Sequence, residues 1–352
     1  LGKLRFVNLY IKEDYRMLSH KIPAPSELTP EHLREIAVSF QKSRIFLTAY
    51  ELDIFTALGD AKRTAGEVSA AIGCDERATD RLMNALCALG ILHKTKEYFS
   101  NSALTARYLV KGKPDYLAGL MHTVNLWDNW ATLTEAVQRG SSIFPEHPGD
   151  RGKNRYISFI AAMHERARKQ VSVVMALLDF TGIKRILDVG GGSGEYAMAF
   201  VRAHPEVSAD VFDLPDIIPL TETYINRENL RDRINCISGD YTQDDLVTRY
   251  DMVFLSAVIH SNSYDVNRRL IKKCADAVNS GGQVVVLDFI MDEDRINPAN
   301  GAFFALNMLV GTESGDTYTE SEVRQWMTDA GLKEIIRKDT GFGSALVIGR
   351  KA

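Results

Sequence analysis

The stretch that most constrains this chain is "ILDVGGGSGEYAMAF", Ile186 to Phe200. A short apolar run leads into three glycines, Gly190, Gly191 and Gly192, then Gly194, then a helix-like segment. That order reads as strand, turn and helix. Glycine there admits backbone angles other residues avoid and lets the chain approach a ligand closely. From Lys184 onward the texture repeats. Strand candidates are "RILDVG", "SADVFDL", "INCISGD", "YDMVFLSAVI", "GGQVVVLDFI" and "SALVIGR", with helical segments between them. The alternation predicts an α/β class chain with a parallel, doubly wound sheet and helices on both faces. Ligands bind such sheets beyond the carboxyl ends of the strands, where the glycine turn falls.

The turn excludes some cofactors. A triphosphate loop needs Lys followed by Ser or Thr after its glycines, and neither follows here. The dinucleotide spacing fails when started at Gly190 and Gly192, because Glu195 takes the third place. Started at Gly192 and Gly194 it puts Ala197 there, a tolerated variant. Asp188 precedes the glycines by two places, and Asp213 ends the next strand in "VFDLP". A carboxylate about 20 residues past the glycines can accept both hydroxyls of a ribose, in a nicotinamide dinucleotide or in S-adenosylmethionine alike. In "ISGDY", Asp240 stands where it can accept from an adenine amino group, and Tyr241 offers an aromatic surface.

The first half of the chain has a different character. An N-terminal arm is expected over 1–25, ending in the linker-like "KIPAPSELTPEH". From Pro30 to Gly59 the apolar residues fall mostly at helical spacing. Thr64 with Glu67 has the capping-box spacing for a helix ending at Gly73. Asp75 can start a second helix through Leu89, and "ILHKTKEYFSNS" reads as two short strands around a charged turn. Helix, turn, helix and β-wing make a winged-helix domain, expected over 26–112. Its second helix sets Arg77 and Arg81 against Asp75, Glu76 and Asp80. That face is near neutral, so a dimerising role is expected rather than nucleic-acid binding. A helical connector is expected over 113–180 and a ligand-binding domain over 181–352.

The 352 residues are 45% hydrophobic and 25% charged with a net charge of −4, as expected of a globular protein not built to coat nucleic acid. Cys74, Cys87, Cys236 and Cys274 form no CxxC pair. Buried free thiols in a cytoplasmic protein are expected, with no metal. No apolar run approaches the roughly 18 residues of a membrane span, so no membrane association is expected. The chain begins at Leu1, as a processed end would, and its start lacks the long uncharged core of a signal peptide.

Taken in order, "LDVGGGSG", "FDLP", "GDY", "VIH" and "GGQVVVLDF" resemble the class I S-adenosylmethionine-dependent O-methyltransferases. The likeness is to the caffeic acid and hydroxyindole type, with an N-terminal winged-helix dimerisation domain, over about residues 30–350. It implies a Rossmann-like catalytic domain and a homodimer whose N-terminal helices interlock. It implies S-adenosylmethionine over Gly190, Gly191 and Gly192, with ribose on Asp213 and adenine near Asp240 and Tyr241. Asp188, Leu214, Gly239 and Ser256 are expected beside it. Many members carry Lys or another long side chain where this chain has Ser256.

The resemblance also implies a small-molecule acceptor and a base. His260, expected at the end of the strand "MVFLSAVIH", matches the base that takes the acceptor proton. Asp288 stands where members usually carry the Glu that orients it. A strand-end His could instead satisfy a loop backbone, and Asp288 could be a cap. Members have Asp-Trp after the His, whereas this chain has Ser261-Asn262-Ser263, and a second Glu falls by spacing on Thr317. Met121, His122, Asn125 and Trp130 are expected on one pocket-lining helix, Phe159 and Met163 on another, and Asn307 and Met308 on a third. The polar members suggest a small polar acceptor. Oxygen is the expected target. Sulfur or nitrogen, which need little proton removal, is the second reading, and a ligand-sensing winged-helix regulator the third.

Overall fold

The computed structural model describes residues 28–144 and 153–352. The arm expected over 1–25 lies outside the described residues. The chain parts into two units between Leu117 and Ala118.

The first unit opens with α1 (Pro30–Val38), α2 (Phe40–Glu51) and α3 (Ile54–Leu58). The helical stretch expected to run to Gly59 is therefore broken twice. Ser39 Oγ donates to the Ile36 carbonyl (2.8 Å) at the first break, and Asp53 takes a left-handed φ of 60° at the second. Next come α4 (Ala65–Ile72) and α5 (Glu76–Ala88). Thr64 and Glu67 form the reciprocal capping box on α4, and Asp75 accepts from Ala78 N (2.8 Å) to start α5. The wing is an antiparallel pair, β1 (Leu92–Thr95) and β2 (Tyr98–Asn101), followed by α6 (Ala103–Tyr108). Ile54, Phe55, Leu58, Val68, Met83 and Leu86 form the buried centre of this unit. No residue of α1 is buried; Leu33 and Ile36 are 58% and 65% exposed.

The second unit begins with α7 (Leu120–Trp130), α8 (Leu133–Arg139) and α9 (Lys153–Leu177). Then strands and helices alternate: β3 (Arg185–Val189), α10 (Glu195–Ala203), β4 (Ser208–Asp213), α11 (Ile218–Arg227), β5 (Ile234–Ser238), β6 (Tyr250–Ser256), α12 (Tyr264–Ala277) and β7 (Val278–Asp288). The chain closes with β8 (Ile290–Met291), α13 (Ala299–Gly311), β9 (Tyr318–Thr319), α14 (Glu320–Asp329), β10 (Leu332–Asp339) and β11 (Ala345–Lys351). The main sheet has the order β10-β11-β7-β6-β3-β4-β5.

Five neighbouring strands, β7, β6, β3, β4 and β5, are parallel, but β11 runs against β7 and β10. The expected parallel sheet is thus mixed by one reversed strand. β10 is the strand that the sequence pattern concealed. It is a charged edge strand, "LKEIIRKD", with a register shift between Lys333 and Ile336 and Glu334 at φ 51°. Edge strands tolerate charge and bulges because one side is unpaired.

The central strands read as continuous apolar runs because helices cover both faces. Alternate residues feed two cores. Leu187, Val253, Leu255, Val284, Val286 and Val347 pack with Leu270, Ile271, Val323 and Trp326 of α12 and α14. Ile186, Met252, Phe254, Val285, Leu287 and Leu346 pack the other way, with Val174, Ala197 and Phe200 of α9 and α10. The strand parity therefore sends the side chain of Asp188, two residues after Ile186, toward α9 and α10. Of the cysteines only Cys274 is buried; Cys74, Cys87 and Cys236 are half-buried free thiols, against the expectation that all would be buried.

Candidate active site

Because five strands run the same way, their carboxyl ends meet at one edge. A cavity of about 630 Å³ opens there. Gly190 and Gly192 turn the chain at φ 67° and 56°, values that favour glycine. Gly191 is required for space as well. A Cβ on it would lie 2.7 Å from Val211 Cγ1 and 2.9 Å from the Asp188 carboxyl carbon.

Three acids mark successive strand ends. Asp188 is 1% exposed, and neither carboxyl oxygen has a hydrogen-bond partner among the described residues. Burial, reinforced by the Asp213 charge, pushes its pKa up to about 7. Asp213 accepts from Gly192 N (2.8 Å) and Leu214 N (2.7 Å), and burial raises its pKa against those two bonds. A carboxylate has about four lone-pair sites, so capacity remains for other donors. Asp240 Oδ1 accepts from Thr242 N (2.8 Å) and Thr242 Oγ1 (2.7 Å). Beside it the Tyr241 hydroxyl donates to Asn262 Oδ1 (3.2 Å), and burial pushes the phenol up to about 12. Leu214, 40% exposed, presents an apolar wall to the same cavity.

His260 does not end a strand as expected. β6 stops at Ser256, and His260 sits in a short 3-10 turn, Ile259–Ser261. Ala257 at φ 57° redirects the chain into that turn. His260 is 7% exposed and its Nδ1 lies 2.8 and 3.0 Å from the two Asp288 oxygens. The shorter Asp therefore does reach. Phe289 N also donates to Asp288 Oδ1 (2.8 Å), and the Phe304 ring meets the imidazole edge-on at 4.7 Å. A carboxylate on Nδ1 fixes the proton there and leaves Nε2 as an acceptor.

Three helices wall the cavity. From α7 come His122, Asn125 and Asn129, and from α9 come Phe159, Met163 and Arg166. Asn307 and Met308 come from α13. Asn125 Nδ2 donates to Ser158 Oγ (3.0 Å), and Trp130 Nε1 to Asn307 Oδ1 (3.0 Å). Burial, with the Arg155 charge, lowers the His122 pKa. Trp130 thus fixes a lining residue without lining the cavity itself. Met121 is also outside the lining, because the stripe at positions 122, 125 and 129 turns it aside. Gly239 does not line it either. Its role is packing, since a Cβ there would lie 2.5 Å from the Phe212 ring. The remaining expected cofactor and substrate residues all line one cavity.

The departures after His260 have a packing account. Asn262 Nδ2 donates to Asn267 Oδ1 (3.0 Å) and Val258 O (3.4 Å), Asn267 Nδ2 donates to Ile259 O (2.8 Å), and the Tyr318 hydroxyl donates to Asn262 O. Ser263 Oγ accepts from Val266 N (3.3 Å) and caps α12. Thr317 is buried off the cavity, and Glu313 is the nearby acid that lines it. Asp316 N donates to His260 O (3.0 Å), and Gly315 has no room for a Cβ, which would lie 2.5 Å from that same oxygen. Sequence reasoning singled out Asn262 only as a departure, and missed Asn267, Arg166 and Gln170. The last two continue the stripe of Phe159 and Met163 along α9 at helical spacing.

Family models match most of this chain. The O-methyltransferase domain matches residues 130–333, and the O-methyltransferase dimerisation domain residues 35–111. The chain belongs to the O-methyltransferase family. It is 32% identical to the 3-hydroxy-5-methyl-1-naphthoate 3-O-methyltransferase of Streptomyces sahachiroi, over 93% of this chain and 97% of that one. It is 28% identical to acetylserotonin O-methyltransferase of Bos taurus, over 91% and 97%. A solved O-methyltransferase family protein from Burkholderia thailandensis superposes with a TM-score of 0.83 at 28% identity, covering 92% and 98%. This O-methyltransferase acts on small molecules and takes its methyl from S-adenosylmethionine. Among the described residues no helix is long and apolar enough to cross a membrane.

The cavity suits that donor on its own terms, because an unpartnered buried carboxylate at Asp188 calls for a cationic group. Its raised pKa has a consequence for the ligand-free protein. The folded state holds the Asp188 proton to about pH 7, whereas the unfolded chain loses it near the ordinary value of 3.8. The stability contributed by that protonated carboxyl is complete below about pH 4 and is lost as pH rises through 7. Asp188→Asn is therefore expected to melt above the wild type at pH 8 and close to it at pH 4.5, by thermal unfolding without ligand. An equal offset at both values would contradict this.

Proposed function

We propose that His260 is the general base of methyl transfer to an acceptor hydroxyl, held in the productive tautomer by Asp288. The contact of cavity-lining His260 with buried Asp288 is the observation that carries this reading. S-adenosylmethionine supplies a methyl group on a sulfonium, already activated for displacement. His260 Nε2 takes the acceptor proton as the new oxygen–methyl bond forms and the sulfur–methyl bond breaks. The displaced sulfur keeps its electron pair and S-adenosylhomocysteine leaves. Asp288 steadies the imidazolium that results. Proton removal of this kind contributes about 10²–10⁴-fold, with alignment of the acceptor adding the rest. The packing roles of Asn262 and Ser263 remove the reason to prefer a sulfur or nitrogen acceptor.

In this reading Asp188 meets the ammonium of the donor's methionyl part, Asp213 the ribose hydroxyls, and Asp240 with Tyr241 the adenine. The acceptor lies toward His122, Asn125, Phe159 and Asn307. Phe159, Met163, Phe304 and Met308 supply apolar walls for a ring, and the S. sahachiroi relative is named for a hydroxylated naphthoate. An aromatic acceptor with a polar substituent fits these walls better than a wholly polar metabolite.

The working unit is a homodimer. A dimerisation-domain match over residues 35–111 supports this, as does the uncovered apolar face of α1. A second copy of the chain is the partner that covers Leu33, Ile36 and Phe40.

His260→Ala is expected to lower kcat by about 10²–10⁴-fold with S-adenosylhomocysteine affinity kept within about threefold by calorimetry, and Asp288→Asn to lower it less. Near-normal turnover in His260→Ala would reject the base. Ile36→Asp with Leu33→Asp is expected to shift the protein from dimer to monomer in light scattering. An unchanged mass would place the interface elsewhere.

A further inference from the structure

Arg166 lines the cavity, yet the reaction described above gives it no task. Among the described residues no ion pair or hydrogen bond engages its guanidinium, which lies over the Phe289 ring at 4.7 Å. A guanidinium stays charged and presents five donors in a fork that matches a carboxylate. A half-buried one without an anion is a group waiting for a partner.

The course of α9 tells which ligand passes it. The N-terminal half of the helix faces α7. Arg155 donates to Asp128 (2.9 Å), Ser158 meets Asn125, and the Phe159 ring takes the edge of His122 at 5.3 Å. A second face of the same stretch meets the glycine turn. Ile160 Cδ1 comes within 3.5 Å of where a Cβ on Gly192 would stand, and His164 Nδ1 lies 3.1 Å from Ser193 Oγ. Arg166 continues the cavity-lining stripe of Phe159 and Met163, about 10 Å along the axis from Phe159. Gln170, one turn on, is 6% exposed and lies against Ser344. Tyr196 sits at the same end. Burial pushes its phenol up to about 12, while the Ser256 hydroxyl and the Arg166 charge act against that rise. Ser256, at the end of β6, reaches Tyr196 but is uncharged.

We propose that Arg166 is the anchor for the methionyl carboxylate of S-adenosylmethionine, bringing from α9 the positive charge that Ser256 does not bring from β6. This rests on the reading of the cavity's glycine-turn end as the donor site. With Asp188 meeting the ammonium, the zwitterionic tail finds one charge of each sign. The assignment fits the chemistry at both ends of the cavity. The acids Asp188, Asp213 and Asp240 gather at the strand ends, and Arg166 lines the same cavity from α9.

Calorimetry with two probes separates the alternatives. S-adenosylhomocysteine carries the amino-acid tail, and 5′-methylthioadenosine has the same nucleoside and sulfur without it. In Arg166→Gln the affinity for S-adenosylhomocysteine is expected to fall about 10- to 100-fold, as for loss of a charge-assisted hydrogen bond. Affinity for 5′-methylthioadenosine is expected to stay within about twofold, and Arg166→Lys to recover part of the loss. An equal fall for both probes would make Arg166 a structural residue and overturn the proposal. Unchanged affinity for both, with a raised KM for the acceptor alone, would also overturn it and move the anchor to the acceptor. Failure of the wild type to bind either probe would refute the donor site itself, a result distinct from these. Binding needs no turnover, so the test does not depend on the role of His260.

Discussion

Burial of the central sheet on both faces is the constraint from which the site follows. Apolar side chains alternate between two helical layers along β3, β6 and β7, so these strands have no free face and must lie parallel at the centre. Parallel strands end at the same edge. Asp188, Asp213, Ser256 and Asp288 are brought together because each stands at the end of a strand or within two residues of it. The side chains that do chemistry need no loop to gather them. The glycine turn then leaves room at that edge, since any side chain on Gly191 would displace Asp188 or Val211.

The edge carries its charges unevenly. Asp213, Asp240 and Asp288 each have hydrogen-bond donors within the protein, and Asp288 has the imidazole of His260. Among the described residues Asp188 has none, and Arg166 has no anion. A site that holds an unpartnered buried carboxyl and an unpaired guanidinium is relaxed by a zwitterion, which draws the Asp188 proton off. This is the physical reason to expect donor binding to stabilise the fold, in proportion to ligand concentration over its dissociation constant. Around His260 the opposite holds. Phe304 and Asp288 hold the ring, and Asp316 N holds the His260 backbone carbonyl, so little reorganisation is left for the reaction.

Much of this was legible in the sequence, because the strands of the parallel core are strongly apolar and each ends on a distinctive residue. The capping box at Thr64 and Glu67 and the cap at Asp75 were equally readable, being local. β10 was concealed because an edge strand in "LKEIIRKD" carries charges at positions a central strand would bury. The break at Asp53 was hidden because a left-handed Asp leaves the helical spacing intact on either side. Met121 and Gly239 show the limit at the site. Neighbourhood in sequence suggested that they line the cavity, but the helical stripe turns Met121 away and Gly239 serves the Phe212 ring. Asn262 could not be understood from its position after His260, since its partners Asn267, Tyr318 and Tyr241 come together only in the folded chain.

The account turns on which nitrogen of His260 carries the proton. Nitrogen-15 magnetic resonance of histidine-labelled protein, with the His260 signals assigned by their loss in His260→Gln, measures this directly at a pH where the ring is neutral. The hydrogen bond to Asp288 predicts a protonated Nδ1 and a bare Nε2, with the preference weakened in Asp288→Asn. A ring protonated on Nε2 would leave no acceptor for the substrate proton and would contradict the mechanism.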